Sequence, residues 1–170
     1  MLKGNHKMII QKCKDIKLVI TDVDGVLTDG GMYYSNKGEF MKKFNTRDGM
    51  GVELLCNVGI ETIFLSREKS EATKQRAIKV KAKLIEGIIY KENELKKICK
   101  KYQIKPKNVA YIGDDVNDVN IMTKVGLSAA PSDCSKEVLK ICDYVCKKKG
   151  GDGAFREVVN LILQFKSNSI

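Results

Sequence analysis

No apolar run in this chain approaches the roughly 20 residues that a bilayer-spanning helix requires. The N-terminal MLKGNHKMIIQKCKD has neither a sustained apolar stretch nor a small-residue cleavage site. Both absences argue against a membrane partner and a secretory signal, and a cytoplasmic protein is expected. Histidine occurs once, at His6, and the six cysteines (Cys13, Cys56, Cys99, Cys134, Cys142, Cys146) form no C-x-x-C pair. A zinc site and a thiol–imidazole pair are therefore unsupported, and reduced, packed thiols are expected.

Proline is scarce, with two in 170 residues, and neither a low-complexity tract nor an internal repeat interrupts the chain. With 43% hydrophobic and 31% charged residues, the composition is that of a folded protein. The length suits one domain with a substantial core, placed at residues 15–165, with flexible ends at 1–14 and 166–170. Aromatics are few beside the lysines: KKICKKYQIKPK and CKKKGG carry much of the net charge of +10 without interleaved rings. A solvated lysine-rich surface fits better than a nucleic-acid face, and a small anionic substrate is compatible with the charge.

Three β-branched runs end in polar clusters: IKLVITD (16–22), IETIFLS (60–66) and NVAYIGDD (108–115). Each reads as a strand buried on both faces. Weaker strands are expected at 83–85, 126–129 and 143–146, and helices at 49–58, 68–80, 91–102, 116–125 and 154–165. This alternation predicts an α/β fold with a doubly wound parallel sheet. One segment breaks it: GMYYSNKGEFMKKF (31–44) has two β-prone arms around Asn36-Lys37-Gly38, which reads as a projecting β-hairpin.

Ligands of such sheets bind outside the carboxyl ends of the strands, where Asp22, Asp24, Ser66, Asp114 and Asp115 fall. Asp22 closes the first strand and Asp24 follows two residues on, so both can face one side of an extended chain. The pair suits attack by Asp22 on phosphorus and protonation of the leaving alcohol by Asp24. Crowded carboxylates beside a phosphate demand a hard cation, and Mg²⁺ held by Asp22, Asp24 and Asp114 is expected. Ser66, Arg67 and Lys91 are candidate phosphate donors, with Asp115, Asn117 and Asp118 in support. Taken singly, each of these has an ordinary alternative: D-x-D as a turn, Ser66 as a helix cap, Lys91 as a surface lysine.

In their order along the chain, DVDGVLT, strand-Ser, Lys and GDDVND resemble the haloacid dehalogenase superfamily of phosphohydrolases. Many members carry a cap domain, but the only insertion here is the hairpin, so a capless, Rossmann-like member is implied. The stretches DVDGVLTDGGMYYSNKGEFMKKFNTRDGMG, VAYIGDDVNDVNIMTKVG and GGDGAFREVVNLIL resemble the sugar-acid phosphatases acting on 3-deoxy-octulosonate 8-phosphate or nonulosonate 9-phosphates. That resemblance implies a homotetramer built on the hairpins, with the tail from Gly150 to Arg156 reaching a neighbouring active site.

Within the branch, Glu68, Arg76 and Lys79 match positions that nonulosonate phosphatases use beside the substrate, whereas octulosonate enzymes usually have arginine where Glu68 stands. On a continuous helix Lys79 would lie about 20° and Arg76 about 80° from Glu68, so the three would share a face. Asp152 also departs from the octulosonate pattern, and the nine-carbon class is expected. Two features point the other way. NTRDGMG, with Asn45 and Thr46 as candidate substrate contacts, is closer to the octulosonate style, and Arg67 stands where glycine is usual. Arg156 completes the implied substrate set. Rival readings are a non-catalytic assembly module, a capless polynucleotide phosphatase and a receiver domain of two-component signalling. The last would place its phosphoaccepting aspartate after a central strand, where only Ser66 stands.

Overall fold

The three β-branched runs are the centre of the sheet in the computed structural model, which describes residues 6–166. β1 (Leu18–Thr21) lies between β4 (Glu61–Leu65) and β6 (Val109–Ile112), all parallel, with Leu18 opposite both Glu61 and Val109. β5 (Lys83–Ile85) extends one side; β7 (Leu127–Ala130) and β8 (Tyr144–Val145) extend the other, giving the order β5-β4-β1-β6-β7-β8. The period of two sorts side chains between two cores. Val19, Phe64, Ala110 and Ile112 face one side, and Leu18, Ile20, Ile63, Leu65 and Tyr111 face the other. Truncating a fully buried member such as Ile20 to alanine would cost about 2–5 kcal/mol, because the central strand has little room to collapse.

The first core is covered by α1 (His6–Asp15), α2 (Thr46–Asn57) and α7 (Ala154–Lys166). α4 (Lys91–Tyr102), the short α5 (Val119–Met122) and α6 (Lys136–Ile141) cover the second. α1 corrects the expectation of a frayed N-terminus. Ile9 and Cys13 lie a turn apart on one face and are sealed in the first core, so residues 6–14 belong to the domain. Residues 1–5 and 167–170, the remainder of the expected flexible ends, lie outside the described residues. α6, not anticipated, starts at the Ser135 cap, whose hydroxyl accepts from the Val138 N–H.

α3 (Glu71–Val80) begins three residues later than expected, because Ser70 is extended (φ −145°) and caps it by accepting from Thr73 N–H. The expected helix at 116–125 is a tight turn over Val116–Asp118 followed by α5, since the Asp115 and Asp118 carboxylates bind nearby backbone N–H groups.

The hairpin forms as expected, from β2 (Tyr33–Ser35) and β3 (Gly38–Met41), with Gly38 at φ +103° where a side chain would be strained. It is the insertion between β1 and α2, and among the described residues no large cap covers the carboxyl ends of the strands. Met32, Tyr33, Tyr34, Phe40 and Met41 on it are exposed, Phe40 at 74%. Among the described residues no helix is long and apolar enough to cross a membrane.

Candidate active site

Asp22 leaves the end of β1, where its N–H still donates to the Ile112 carbonyl, so the sheet itself fixes its backbone. Its Oδ1 accepts from Val23 N–H at 2.7 Å and its Oδ2 pairs with Lys91 Nζ at 2.8 Å. Lys91, the first residue of α4, is fully buried, and its Nζ also meets Asp118 Oδ1 at 2.7 Å. Asp118 is saturated: Oδ1 also accepts from the Tyr111 hydroxyl at 2.6 Å, and Oδ2 takes the N–H groups of Asp114 and Asp115. Lys91 thus clamps the Asp22 carboxylate from within the domain and is not among the residues that line the open cavity.

Asp22, Asp114 and Asp118 offer carboxylate oxygens that all lie within 4.8 Å of one another. Asp118 joins this group, whereas Asp24, also expected as a ligand, has its Oδ1 paired with Lys42 Nζ at 2.5 Å. Asp114 Oδ1 is buried and has no hydrogen-bond partner. Three carboxylates against the single ammonium of Lys91 leave two negative charges uncompensated. An all-oxygen group with that surplus and an orphaned oxygen fits a divalent hard cation, held chiefly by Asp22 and Asp114 because Asp118 is already engaged. Gly25 keeps this approach open: its φ of +87° and a Cβ position only 2.0 Å from Asp114 Oδ2 leave no space for a side chain.

The electrostatics agree. Burial drives the Asp22 pKa well above the carboxylate range, Asp118 adds to the shift, and Lys91 opposes it. Burial likewise lifts Asp114 to about 7, with Asp118 and Asp115 contributing. Desolvation alone would lower the Lys91 ammonium, but Asp22 and Asp118 outweigh it and its pKa ends raised. A cation beside these carboxylates would reverse their shifts.

The group opens into a cavity of about 260 Å³ whose walls include Asp22, Asp24, Ser66, Arg67, Glu68 and Asp114, together with Asp115 and Asn117. Ser66 Oγ accepts from Glu68 N–H at 3.1 Å, which leaves its own proton free to donate into the cavity. Arg67 and Glu68 are exposed. Among the described residues, the larger cavities lined by Arg156 and by Arg76 hold no such group of carboxylates.

The other expected substrate contacts are dispersed. Thr46, Arg76 and Lys79 line a separate cavity of about 540 Å³ between α2 and α3. Arg76 is committed there, donating to the Asn45 carbonyl at 2.8 Å and lying over the Phe44 ring. Asn45 caps α2 and donates to the Gly151 carbonyl, tying the tail loop down. Arg156 lines a third cavity of about 450 Å³ with Arg47 and Lys148. The common face for Glu68, Arg76 and Lys79 assumed one helix through all three; Glu68 precedes the Ser70 cap, so the helical angle does not apply to it.

Sequence reasoning missed Tyr111, Lys42 and Asp48. A tyrosine inside the otherwise aliphatic VAYI strand was a usable signal, since a buried hydroxyl needs a partner. Lys42 was one lysine among many.

The haloacid dehalogenase-like hydrolase family profile matches residues 58–158. The 3-deoxy-D-manno-octulosonate 8-phosphate phosphatase KdsC of Escherichia coli K12 is 40% identical over 91% of this chain and 83% of its own length. The crystal structure of the Moraxella catarrhalis octulosonate phosphatase with magnesium ion, phosphate ion and KDO superposes with a TM-score of 0.93 at 34% identity, covering 96% of this chain and 95% of that one. The cobalt-bound Haemophilus influenzae phosphatase gives 0.90 at 38% identity, covering 94% of both chains.

Proposed function

This chain belongs to the haloacid dehalogenase-like hydrolase family, and from that premise we propose that it is a Mg²⁺-dependent phosphomonoesterase of 3-deoxy sugar acids, with 3-deoxy-octulosonate 8-phosphate as its first substrate. One observation carries the reading: a buried, Lys91-clamped Asp22 lines the same small cavity as Asp114, which carries one orphaned oxygen, and Ser66, whose hydroxyl proton is free to donate. Bound Mg²⁺ supplies the charge that lets a phosphate dianion approach these carboxylates. Asp22 then attacks phosphorus, Asp24 protonates the departing sugar alcohol, and the aspartyl phosphate is hydrolysed with Asp24 as base. Ser66 and Arg67 hold phosphoryl oxygens through the displacement.

A nine-carbon substrate is the second reading, favoured by Glu68 in the cavity wall. Its support is narrower than the sequence suggested, because Arg76 and Lys79 line a different cavity. The exposed apolar residues of the hairpin fit the homotetramer that the resemblance implies, and a neighbour's tail would supply the wall that a capless site needs. Six free cysteines fit a reducing cytoplasm.

The test is phosphate release, with and without Mg²⁺, from octulosonate 8-phosphate, nonulosonate 9-phosphates, hexose phosphates and a 3′-phosphorylated oligonucleotide. Mg²⁺-dependent turnover greatest on octulosonate 8-phosphate is expected. Preference for the oligonucleotide overturns the sugar-acid assignment, and no turnover on any ester leaves the assembly module as the better reading.

A further inference from the structure

Lys42 has no part in the chemistry so far, yet its side chain is only 1% exposed at the foot of the hairpin. Burying an ammonium costs several kcal/mol unless carboxylates compensate, and a lysine present for solubility alone would extend its head to water. Lys42 has two carboxylate partners: Nζ lies 2.5 Å from Asp24 Oδ1 and 3.5 Å from Glu39 Oε2. Glu39 Oε1 in turn accepts from the hydroxyl of Ser70, the cap of α3. A polar chain Asp24–Lys42–Glu39–Ser70 therefore runs from the first loop of the site, across the hairpin foot, to the loop carrying Ser66, Arg67 and Glu68.

Asp24 has one other side-chain partner, Thr28 Oγ1, at a long 3.5 Å. The conformation of its carboxyl group is thus set by Lys42. We propose that Lys42 is a positioning residue for Asp24, holding that carboxyl group toward the leaving oxygen, and that Glu39 holds Lys42 in turn.

The proposal rests on the phosphatase reading and concerns its first half-reaction. An Asp22 oxygen bonds to phosphorus, the bond from phosphorus to the sugar oxygen breaks with its electron pair going to that oxygen, and Asp24, entering the step protonated while Glu39 carries the charge opposite Lys42, gives its proton to the same oxygen. Misplacing Asp24 harms this step only when the leaving alkoxide needs the proton. A lysine that merely fastened the hairpin to the domain would show no such dependence on the leaving group.

The test compares full-length wild type, Lys42→Met, Lys42→Arg and Glu39→Gln, with Mg²⁺, in first-turnover alcohol release. The two probes are octulosonate 8-phosphate, whose alkoxide is a poor leaving group, and 4-nitrophenyl phosphate, whose phenolate departs without a proton. Lys42→Met is expected to slow the sugar ester about 10²-fold, the scale of general-acid catalysis, and the nitrophenyl ester by less than about threefold. Lys42→Arg is expected to recover part of the sugar-ester loss, and Glu39→Gln to show a smaller loss of the same selectivity. Equal losses on both esters, or no loss on the sugar ester, overturn the proposal. Should Lys42→Met fail to melt cooperatively, Glu39→Gln, which leaves Lys42 in place, decides by the same ratio. Wild type that cleaves neither ester refutes the phosphatase reading itself, a result separable from equal losses in an active enzyme.

Discussion

Asp114 and Asp48 are both sequestered carboxylates with one oxygen that has no hydrogen-bond partner, and they serve opposite ends. Asp114 stands on the loop after β6, walls the 260 Å³ cavity and faces other carboxylates. Asp48, in the first turn of α2, is 2% exposed, and its Oδ1 accepts from Arg156 N–H at 2.8 Å near the start of α7. Burial raises both pKa values, Asp114 to about 7 and Asp48 to about 6. At Asp114 the next contributions, from Asp118 and Asp115, push the same way; at Asp48 the Arg156 N–H and Arg76 push back. Like charges around an opening make a place for a cation, whereas backbone donors in a sealed contact make a helix cap. Burial alone distinguishes neither.

The comparison breaks most visibly at Asp22, the proposed nucleophile. Asp22→Asn is expected to reduce phosphate release at least about 10³-fold while circular dichroism and the thermal midpoint stay close to wild type, because the change removes a charge from an overcharged group. Unaltered turnover would show that the crevice is no more a reaction site than Asp48 is.

Mg²⁺ should separate the two carboxylates through pH. Folding raises the Asp114 pKa, so ionisation opposes folding; the penalty is absent below the unfolded value near 3.8 and complete above about 7. Without cation the crevice therefore loses stability as pH rises through that window. A cation that binds only ionised carboxylates relieves the loss, so the Mg²⁺-induced rise in thermal midpoint should be larger at pH 8 than at pH 5.5, and chelation should abolish turnover.

Asp48 should respond to pH and ignore the metal. Its penalty develops between about 3.8 and about 6, on the order of 3 kcal/mol from the shift. Asp48→Asn should thus gain on wild type in urea unfolding as pH rises through that window. Asp48→Ala, which leaves the Arg156 N–H without its acceptor, should lose about 1–3 kcal/mol. Neither change should alter the Mg²⁺ response.

The smallest effect is expected at Lys79, exposed on the separate cavity wall, where alanine should change KM less than about twofold. Glu68→Ala, in the wall of the site, should change KM more, and the reverse order would put Lys79 rather than Glu68 beside the substrate.

Much of this was legible along the chain because it is local. The alternation in IKLVITD, the glycines of DVDGVLTDGG and the doublet of GDDVND each report a strand or its carboxyl end within a few residues. The six parallel strands and the hairpin follow from such signals. The N-terminal helix was missed because HKMIIQKCKD is short and lysine-rich, and only its seat against α7 and the sheet makes Ile9 and Cys13 core residues. The grouping of Glu68 with Arg76 and Lys79 failed at a single residue, Ser70, whose cap starts the helix too late to include Glu68.

By itself the sequence determined the architecture and the family and singled out Asp22 as the proposed nucleophile, since period, turn chemistry and residue order survive without coordinates. Which charges meet was decided only by the tertiary structure. Lys91 reaches Asp22 across 69 positions of chain and Lys42 reaches Asp24 across 18, so the pairings that tune the site depend on how distant loops pack at the ends of the strands. A buried charge is defined by its neighbours, and those neighbours exist only once the chain has folded.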